Sequence, residues 1–332
     1  MPDPRLDVLC IGNAIVDVIA NASDDFLTNE GLVKGSMRLI DAEEAERLYA
    51  HMGPAHQVSG GSAGNTAAGV AALGGRAGFI GQVAPDQLGQ FYRHDLTSAG
   101  VEFNTPAADV GSPTARSMIL VTPDGHRTMN TFLGAAQHLP KAALDEAQIR
   151  DSAILYLEGY LWDPETPRYA MIRAIEVARE AGRKIAFTLS DTFCVERHRD
   201  GFNQLIGAGR VDILFANQAE IEALAGVAHL ESAVAAVAPK VETLVVTRSE
   251  DGALAVRGGE RADVVAEPIG DLVDTTGAGD LFAAGFLFGT ARGRSLEESL
   301  RLGAICAAEV IQHYGARPEK DLRALAGELV AY

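Results

Sequence analysis

The chain alternates short, continuous hydrophobic runs with longer stretches in which hydrophobic residues recur every three or four positions. Short apolar runs are typical of strands buried on both faces, whereas the longer period indicates amphipathic helices. The predicted strands are Val8–Ile11, Ala77–Val83, Ala153–Leu157, Lys184–Leu189, Val211–Phe215 and Thr243–Thr247. The predicted helices between them include Pro85–Ala99, Pro164–Ala181, Arg197–Ile206 and Glu220–Ala225. This alternation predicts a doubly wound α/β fold, with a mostly parallel central sheet and helices on both faces.

Two parts of the chain depart from this alternation. The strand-like segments there are Ile15–Ala20, Gly35–Ile40, Arg116–Val121 and Arg127–Phe132. An Asp-Gly pair at 124–125 separates the last two and is typical of a hairpin turn. These strands predict a small β-sheet lid over the main sheet, and the alternative is an antiparallel edge on the main sheet itself.

The predicted division is therefore one large α/β domain with a discontinuous lid. The large domain takes residues 1–13, 41–110 and 135–332, and the lid takes about 14–40 and 111–134. The C-terminal third of the chain is predicted to be helical over Gly279–Thr290, Leu296–His313 and Pro318–Ala331.

Composition and charge narrow the classes of function. The 332 residues are 47% hydrophobic and 22% charged, which is typical of a globular enzyme. The formal net charge of −17 disfavours a nucleic-acid partner, because an acidic surface repels phosphate backbones. The three cysteines show no metal-binding or disulfide spacing, and no apolar run is long enough to span a bilayer. The sequence predicts a cytoplasmic protein without a membrane partner, either a monomer or a homodimer.

Glycine is the residue type that exceeds its usual frequency. The chain has 35 glycines, about 11% against a usual value of roughly 7%. They cluster at Gly60-Gly61, Gly74-Gly75 and Gly277–Gly279. Glycines clustered between a strand and a helix allow the backbone to approach a ligand closely.

The strongest local motif runs from Asp274 to Asp280 and directly precedes an apolar helix. Small residues at a helix start expose backbone amides, which bind an anion without Lys or Arg. Asp280 is then placed to accept a proton from a hydroxyl that attacks a bound phosphate. The alternative is that Asp280 is an N-cap and the glycines only form a tight turn. A Walker loop is absent, and Phe282 occupies the third glycine position of a dinucleotide fingerprint.

Three further features are weaker when taken singly. The segment from Ser59 to Ala67 offers backbone and Asn groups to a polyhydroxyl ligand, or is simply a loop before a packed helix. Asp17 lies in an apolar strand, where a carboxylate needs a ligand, a strong donor or a structural partner. Glu220 follows a strand at the ligand-binding edge of the sheet, or is a first-turn Glu stabilised by the helix dipole.

In order and spacing, these four features resemble the ribokinase-like (PfkB) family of carbohydrate and nucleoside kinases. The early motif is Gly60-Gly61-Ser62-Ala63-Gly64-Asn65, the late one is Asp274–Asp280, and Asn217-Gln218-Ala219-Glu220 is similar to the family's Asn-x-x-Glu motif. The resemblance covers essentially the whole chain and implies a ribokinase-like fold and a phosphotransferase with an alcohol acceptor. Within the family the chain is most similar to adenosine kinases, through Gly12–Asp17, Val211–Asn217 and Tyr314–Lys320.

The resemblance implies phosphorylation of a ribonucleoside 5′-hydroxyl by ATP, with adenosine as the first candidate, in purine salvage. Asp280 would act as the base, and the amides of Gly277, Ala278 and Gly279 would stabilise the transferring phosphoryl group. The residues implied to bind the acceptor are Asn13, Asp17, Gly60, Gly61 and Asn65. Those implied to bind ATP are Asn217, Thr247, Ser249, Thr276, Gly277 and Gly279.

The resemblance also implies Mg²⁺, held through water by Asn217 and Glu220, and it leaves a K⁺ requirement open. Arg127 is a candidate phosphate contact on lid closure, or alternatively a surface arginine on a turn. Thr276 is similar to the residue of sugar kinases, where adenosine kinases of the animal type often carry Asn. The alternatives are therefore a ribokinase- or fructokinase-like sugar kinase, an inosine or guanosine kinase and, more distantly, a non-catalytic nucleoside-binding protein.

Overall fold

Two β-sheets organise residues 4–330, the part of the chain that the computed structural model describes. The strands, in chain order, are β1 (Leu6–Ile11), β2 (Ile15–Asn21), β3 (Met37–Leu39), β4 (Ala55–Gly60), β5 (Ala77–Ile80), β6 (Val101–Phe103), β7 (Ala115–Val121), β8 (Arg127–Phe132), β9 (Ser152–Glu158), β10 (Lys184–Thr188), β11 (Ile213–Asn217), β12 (Thr243–Thr247), β13 (Ala253–Arg257) and β14 (Glu260–Val264). The helices are α1 (Asp24–Asn29), α2 (Ala42–His51), α3 (Ser62–Ala72), α4 (Gln87–Ser98), α5 (Glu146–Arg150), α6 (Glu165–Glu180), α7 (Thr192–Gly207), α8 (Gln218–Ala225), α9 (Leu230–Val237), α10 (Ala278–Ala291), α11 (Leu296–Val310) and α12 (Leu322–Ala326).

The larger sheet has nine strands in the order β14-β13-β12-β11-β10-β9-β1-β5-β6. From β12 to β6 its neighbouring strands run parallel, and β13 and β14 form an antiparallel edge. In β1, Leu9 and Ile11 join the hydrophobic core on one face, while Val8 and Cys10 join the core on the other. The predicted doubly wound α/β fold is confirmed, and burial on both faces explains the continuous apolar runs.

The second sheet has five strands in the order β3-β8-β7-β2-β4, so the predicted small sheet is also confirmed. Its β7–β8 hairpin pairs antiparallel, with Val121 opposite Arg127. Helices α1 and α2 cover one face through a core that includes Leu27 and Leu48. The other face carries Asp17 and, paired with it, Ser117, and both side chains line a cleft described below.

The small sheet takes in more of the chain than the sequence indicated. The predicted division assigned 41–110 to the large domain, but β4 pairs with β2 of the small sheet and α2 packs on that sheet. Helix α1 also lies between β2 and β3, where no strong helix was predicted. The pattern hides β4 because its first residues are exposed and its sequence, AHQVSG, is weakly hydrophobic.

Several predicted boundaries are wrong at their ends, each for a local reason. Strand β5 stops at Ile80, because β1 and β6 beside it end at the same level. Helix α7 begins at Thr192, since Asp191 accepts the amide of Cys194 at 2.6 Å and caps the helix earlier than predicted. In the predicted helix Pro318–Ala331 the α-helix is α12 alone, and residue 331 lies outside the described range.

The described part of the chain, 4–330, holds no single helix that is long and apolar enough to cross a membrane. The bent pair Gln218–Ala225 and Leu230–Lys240 passes that test only when its two members are counted together.

Candidate active site

A cleft of about 1030 Å³ lies between the small sheet and the carboxyl ends of the large sheet's strands. It opens beside β1, which pairs with β5 on one side and β9 on the other. Open α/β sheets bind ligands at such a point, where the order of the strands reverses. The predicted site residues that line the cleft are Asp17, Gly61, Asn65, Asn217, Glu220, Thr247, Ser249, Thr276, Gly277, Ala278, Gly279 and Asp280. The other three predicted residues, Asn13, Gly60 and Arg127, lie behind the lining.

The start of α10 forms one wall of the cleft. Gly277 occupies the N-cap position in the left-handed conformation, with φ of 80°, which glycine adopts without strain. No side chain of residues 4–330 caps this helix, and the Ala278 amide donates to the carbonyl oxygen of Thr275 at 3.2 Å. The residues that begin the helix line the cleft, which places the positive end of the helix dipole there. The wall is suited to an anion, as the sequence indicated, and this suits a chain whose net charge is strongly negative.

Asp280 lies in the first turn of α10 and is not its N-cap, which removes the alternative considered from sequence. Its two carboxylate oxygens accept hydrogen bonds from Ser62 Oγ at 2.6 Å and from Asn65 Nδ2 at 2.9 Å. Both donors are neutral groups at the start of α3, so α3 fixes the orientation of the carboxylate without neutralising it. Burial raises the pKa of Asp280, while these hydrogen bonds and the charge of Arg317 lower it.

Asp17 is the second carboxylate that faces the cleft, from β2 in the small sheet. Its side chain makes no hydrogen bond or ion pair with any residue in the described range 4–330, so its oxygens are free for a ligand. Burial raises the pKa of Asp17 to about 7, although Arg317 and Arg127 act in the opposite direction. Gly60 runs directly against this carboxylate, since a Cβ there would lie 2.3 Å from Asp17 Oδ2.

Asn13 is held by a carboxylate instead of lining the cleft. Its backbone amide and its Nδ2 donate to Glu158 Oε1 at 2.7 and 2.6 Å. Glu158 Oε2 accepts the amide of Ala63 at 2.9 Å, so this one buried side chain ties the end of β1 to the start of α3. Burial raises the pKa of Glu158 to about 7. Gly12 is required here, because a Cβ would lie 2.3 Å from Glu158 Oε2.

Arg127 and Asp274 form a buried ion pair at 2.9 Å behind the α10 wall. Asp274 also accepts the amides of Thr276 at 3.0 Å and Gly315 at 2.9 Å, so its carboxylate shapes the loop that precedes α10. Arg127 comes from β8, and its guanidinium lies over the ring of Tyr314. Arg127 is therefore not a surface arginine on a turn, which was the alternative. It links the small sheet to the loop before α10.

Asn217 and Glu220 form a capping box at the start of α8. The Glu220 amide donates to Asn217 Oδ1 at 2.8 Å, and the Asn217 amide donates to Glu220 Oε2 at 3.0 Å. Asn217 Nδ2 donates to the other Glu220 oxygen at 2.7 Å. Glu220 is buried, not a solvated first-turn Glu, and burial raises its pKa to about 7.

The end of the cleft beyond α10 combines polar and apolar groups. Thr247 ends β12, and Ser249 follows it with a φ of 51°, a conformation that L-residues rarely adopt. Such strained residues cluster where a site needs a particular backbone shape. Opposite them, α11 lines the cleft with three alanines and the following loop adds Ile311.

Comparison with known proteins decides the family. Residues 5–322 match the family described as pfkB family carbohydrate kinase. The chain belongs to this pfkB family. The solved structure of adenosine kinase from Sinorhizobium meliloti has a TM-score of 0.90 and 51% identity, over 97% of this chain and 98% of that one. A probable sugar kinase protein from Rhizobium etli has a TM-score of 0.91 and 48% identity, with the same shares. Adenosine kinase of Saccharomyces cerevisiae is 27% identical, over 93% of this chain and 95% of its own length.

This pfkB-family kinase is accordingly a phosphotransferase that acts on a hydroxyl group, and its family implies ATP as the phosphoryl donor. The predicted family, fold class and enzyme class are confirmed. These similarities do not distinguish between acceptors, because a probable sugar kinase and an adenosine kinase match this kinase to a similar degree.

Three side chains that build the site of this kinase were not predicted as site residues: Ser62, Glu158 and Arg317. Ser62 donates a hydrogen bond to Asp280, and Glu158 accepts hydrogen bonds from Asn13. Arg317 binds the glycine-rich loop, the segment Ser59–Gly64 from the end of β4 into the first turn of α3. Ser62 lies within the motif Gly60–Asn65, whose predicted role involved backbone and Asn groups and not the Ser62 hydroxyl. Tyr160 also lines the cleft, whereas its neighbour Leu161 is buried in a hydrophobic core.

A divalent cation would be held indirectly in this pfkB-family kinase. The described residues contain no group of three or more His, Cys, Asp or Glu side chains that could ligate a metal. Glu220 borders the cleft, and both of its oxygens already accept hydrogen bonds from Asn217. These residues fit the orientation of metal-bound water, and they do not fit a direct ligand set.

Replacing Gly279 with Ala separates the stability of this kinase from its activity. A Cβ at Gly279 meets no atom within 4 Å, so the variant should fold with an unchanged or slightly higher melting temperature. The methyl group enters the cleft, where we expect kcat/KM for ATP to fall by about 10²-fold. Steady-state kinetics and thermal melting measure the two effects.

Gly277→Ala is the matched control for that experiment. Its Cβ would lie 2.5 Å from Ala316 Cβ, and its φ of 80° is unfavourable for alanine, so both stability and activity should fall. A Gly279→Ala variant with wild-type kinetics would show that ATP does not approach the start of α10.

Proposed function

We propose that this kinase transfers the γ-phosphoryl group of ATP to the 5′-hydroxyl of adenosine. The observation that carries the proposal is one cleft with two carboxylates in different settings: Asp280 at a helix start and Asp17 with free oxygens. The first setting suits proton removal beside a bound phosphate, and the second suits neighbouring hydroxyl groups. The similarity to an adenosine kinase at 51% identity supports a ribonucleoside acceptor.

On the acceptor side, Asp17 accepts the two neighbouring hydroxyls of ribose, because one carboxylate accepts two hydrogen bonds at once. Asn65 and the backbone of Gly61 line the cleft beside it and complete the polar surface. Asn13 is proposed to act through its neighbours, since Glu158 already engages its amide and Nδ2. Gly60 contributes by leaving room for the Asp17 carboxylate.

On the donor side, ATP lies along the cleft from the α10 wall towards Thr247 and Ser249. The small side chains of α11 leave a flat apolar surface that suits a purine ring, while Thr276 and Asn217 border the phosphates. Glu220 and Asn217 would hold Mg²⁺ through its water, and the ion would supply positive charge beside the phosphates. Arg127 is proposed to reach the phosphates if closure of the small sheet breaks its contact with Asp274.

In the transfer step, Asp280 accepts the proton of the 5′-hydroxyl as its oxygen attacks the γ-phosphorus and the bond to ADP breaks. The first amides of α10 stabilise the negative charge on the transferring group. The hydrogen bonds from Ser62 and Asn65 aim the base and keep it ionised until the proton arrives.

An ATP-consumption assay across acceptors tests the substrate directly. With Mg²⁺ present, we expect kcat/KM for adenosine to exceed that for inosine, guanosine, ribose and fructose by at least about tenfold. ADP release is followed in a coupled assay, with confirmation of AMP by chromatography. A preference for fructose or ribose would support the second candidate, a sugar kinase, which the similarity to a probable sugar kinase favours.

Asp17→Asn should raise KM for adenosine by about 10²-fold and leave KM for ATP nearly unchanged, because an NH₂ donor replaces one of the two acceptor oxygens and the charge is lost. Since the pKa of Asp17 lies at about 7, the wild-type KM for adenosine should also rise as the pH falls below 7. The variant should lack that rise. Equal effects on both substrates would remove Asp17 from the acceptor site.

A further inference from the structure

Arg317 lies in the tail that follows α11, and its guanidinium binds the glycine-rich loop, defined as Ser59–Gly64, which runs from the end of β4 into the first turn of α3. Nη1 donates to the carbonyl oxygen of Gly64 at 3.0 Å. Nη2 donates to Ser59 Oγ at 2.9 Å and to the carbonyl oxygen of Ser59. The loop between these two anchors runs against Asp17 at Gly60 and carries Ser62, which holds Asp280. Arg317 therefore supports the segment that positions both carboxylates of the cleft.

The charge of Arg317 has no carboxylate in contact with it. All of its hydrogen bonds to residues in the range 4–330 go to neutral oxygens, and its Nε is buried without an acceptor there. Asp280 in turn receives bonds from neutral donors, and Asp17 receives none from the described residues. Asp95 accepts the amide and the hydroxyl of Ser59 at 2.8 and 2.7 Å, so it too lies near Arg317 without a direct contact. The guanidinium therefore attracts Asp95, Asp17 and Asp280 without a direct ion pair to any of them.

We propose that Arg317 is a positioning residue that keeps Asp17 and Asp280 ionised and holds the glycine-rich loop in the geometry for phosphoryl transfer. It does not line the cleft, so it acts through the loop and through its charge, not by touching substrate. The proposal rests on the proposed roles of the two carboxylates.

The other charged groups near these carboxylates do not replace it. Arg127 also lowers the pKa of Asp17, but its guanidinium is engaged by Asp274 at 2.9 Å. Glu158, which faces the site from β9, is itself acidic, as is Asp274 in the loop before α10. Tyr156 and Tyr160 also face Asp280 and stay neutral, since burial raises the pKa of each phenol. Arg317 is the group whose charge lowers the pKa of both carboxylates.

Arg317→Gln tests the inference, because it removes the charge and keeps a side chain that can donate to Ser59. We expect the acidic limb of the kcat/KM profile to move upward by about one pH unit, which is a tenfold loss on that limb. At a pH well above the limb, activity should return to within a few-fold of wild type. Arg317→Lys keeps the charge and should keep the wild-type limb.

Arg93→Gln is the matched control. Arg93 also donates to backbone carbonyls, those of Phe103 and Thr105, and it is partly buried away from the cleft. Its loss should lower stability and leave the pH profile in place. The proposal would be overturned if kcat/KM of Arg317→Gln were lowered equally at every pH and its acidic limb stayed at the wild-type position. Arg317 would then have only a structural role.

A second measurement does not depend on activity. In protein labelled with ¹³C at the aspartate carboxyl carbon, the signals of the two carboxylates are assigned by Asp17→Asn and Asp280→Asn. Both midpoints should rise in Arg317→Gln, and unchanged midpoints would overturn the proposal. If the wild-type enzyme prefers another acceptor, the profile is measured with that acceptor. A shift of the acidic limb with that acceptor would reject adenosine as the substrate and would still support the proposed role of Arg317.

Discussion

Asp280→Asn should lower kcat by roughly 10²–10⁴-fold while the protein folds and binds ATP as before. The substitution keeps the size of the side chain and removes its ability to take a proton. Ser62 Oγ can still donate to the remaining oxygen. Asn65 Oδ1 is buried and has no partner among residues 4–330, so a flipped Asn65 amide can accept from the new side chain. The flip leaves Asn65 Nδ2 in the place of the unpartnered Oδ1, so the number of unpartnered buried groups at this contact does not rise.

Single-turnover kinetics with saturating substrates isolate the chemical step, and calorimetric titration measures ATP binding. Ser62→Ala is the control, because it removes one donor to Asp280 and leaves the carboxylate, so its kcat should fall by only about tenfold. Turnover of Asp280→Asn within a few-fold of wild type would show that this carboxylate is not the base.

The architecture was predictable because hydrophobic periodicity reports burial. Strands covered on both faces, such as Leu6–Ile11 and Thr243–Thr247, contain continuous apolar runs (Val8–Ile11 and Leu244–Val246) that are easily recognised. Strands Ala55–Gly60 and Glu260–Val264 were missed because most of their residues are partly or fully exposed. Ala55–Gly60 also pairs with Ile15–Asn21, a strand more than 30 positions earlier, and no local pattern contains that information.

Parts of the candidate site were predictable where the backbone conformation allows only certain residue types. A left-handed N-cap before an apolar helix requires glycine, so Gly277 and the segment around it form a recognisable motif. Arg317 and Glu158 act through single side chains that reach across 253 and 95 or more positions of the chain. Such long-range contacts have no signature in one sequence, and the structure alone shows what these residues hold.

Asp274→Ala should have the largest effect on stability. Its carboxylate lies in a buried ion pair with Arg127 and accepts two backbone amides of the loops around α10. Removing it leaves a buried guanidinium whose Nε and Nη2 already lack partners in the described range 4–330. Breaking one side of a buried pair costs about 3–5 kcal/mol, because the remaining charge is uncompensated.

Urea unfolding of Asp274→Ala, Arg127→Met and the double variant separates the contribution of the Arg127–Asp274 ion pair from that of side-chain packing to the free energy of unfolding. The double variant should be more stable than the sum of the single effects implies, since it no longer buries an unpaired cation. Glu146→Ala, which breaks exposed or half-exposed pairs with Arg150 and Arg173, is the control and should change the unfolding midpoint far less. Because Asp274 also shapes the loop before α10, the single variant should lose activity at temperatures where it is still folded. Wild-type stability in Asp274→Ala would mean that water or a shifted Arg127 compensates for the pair.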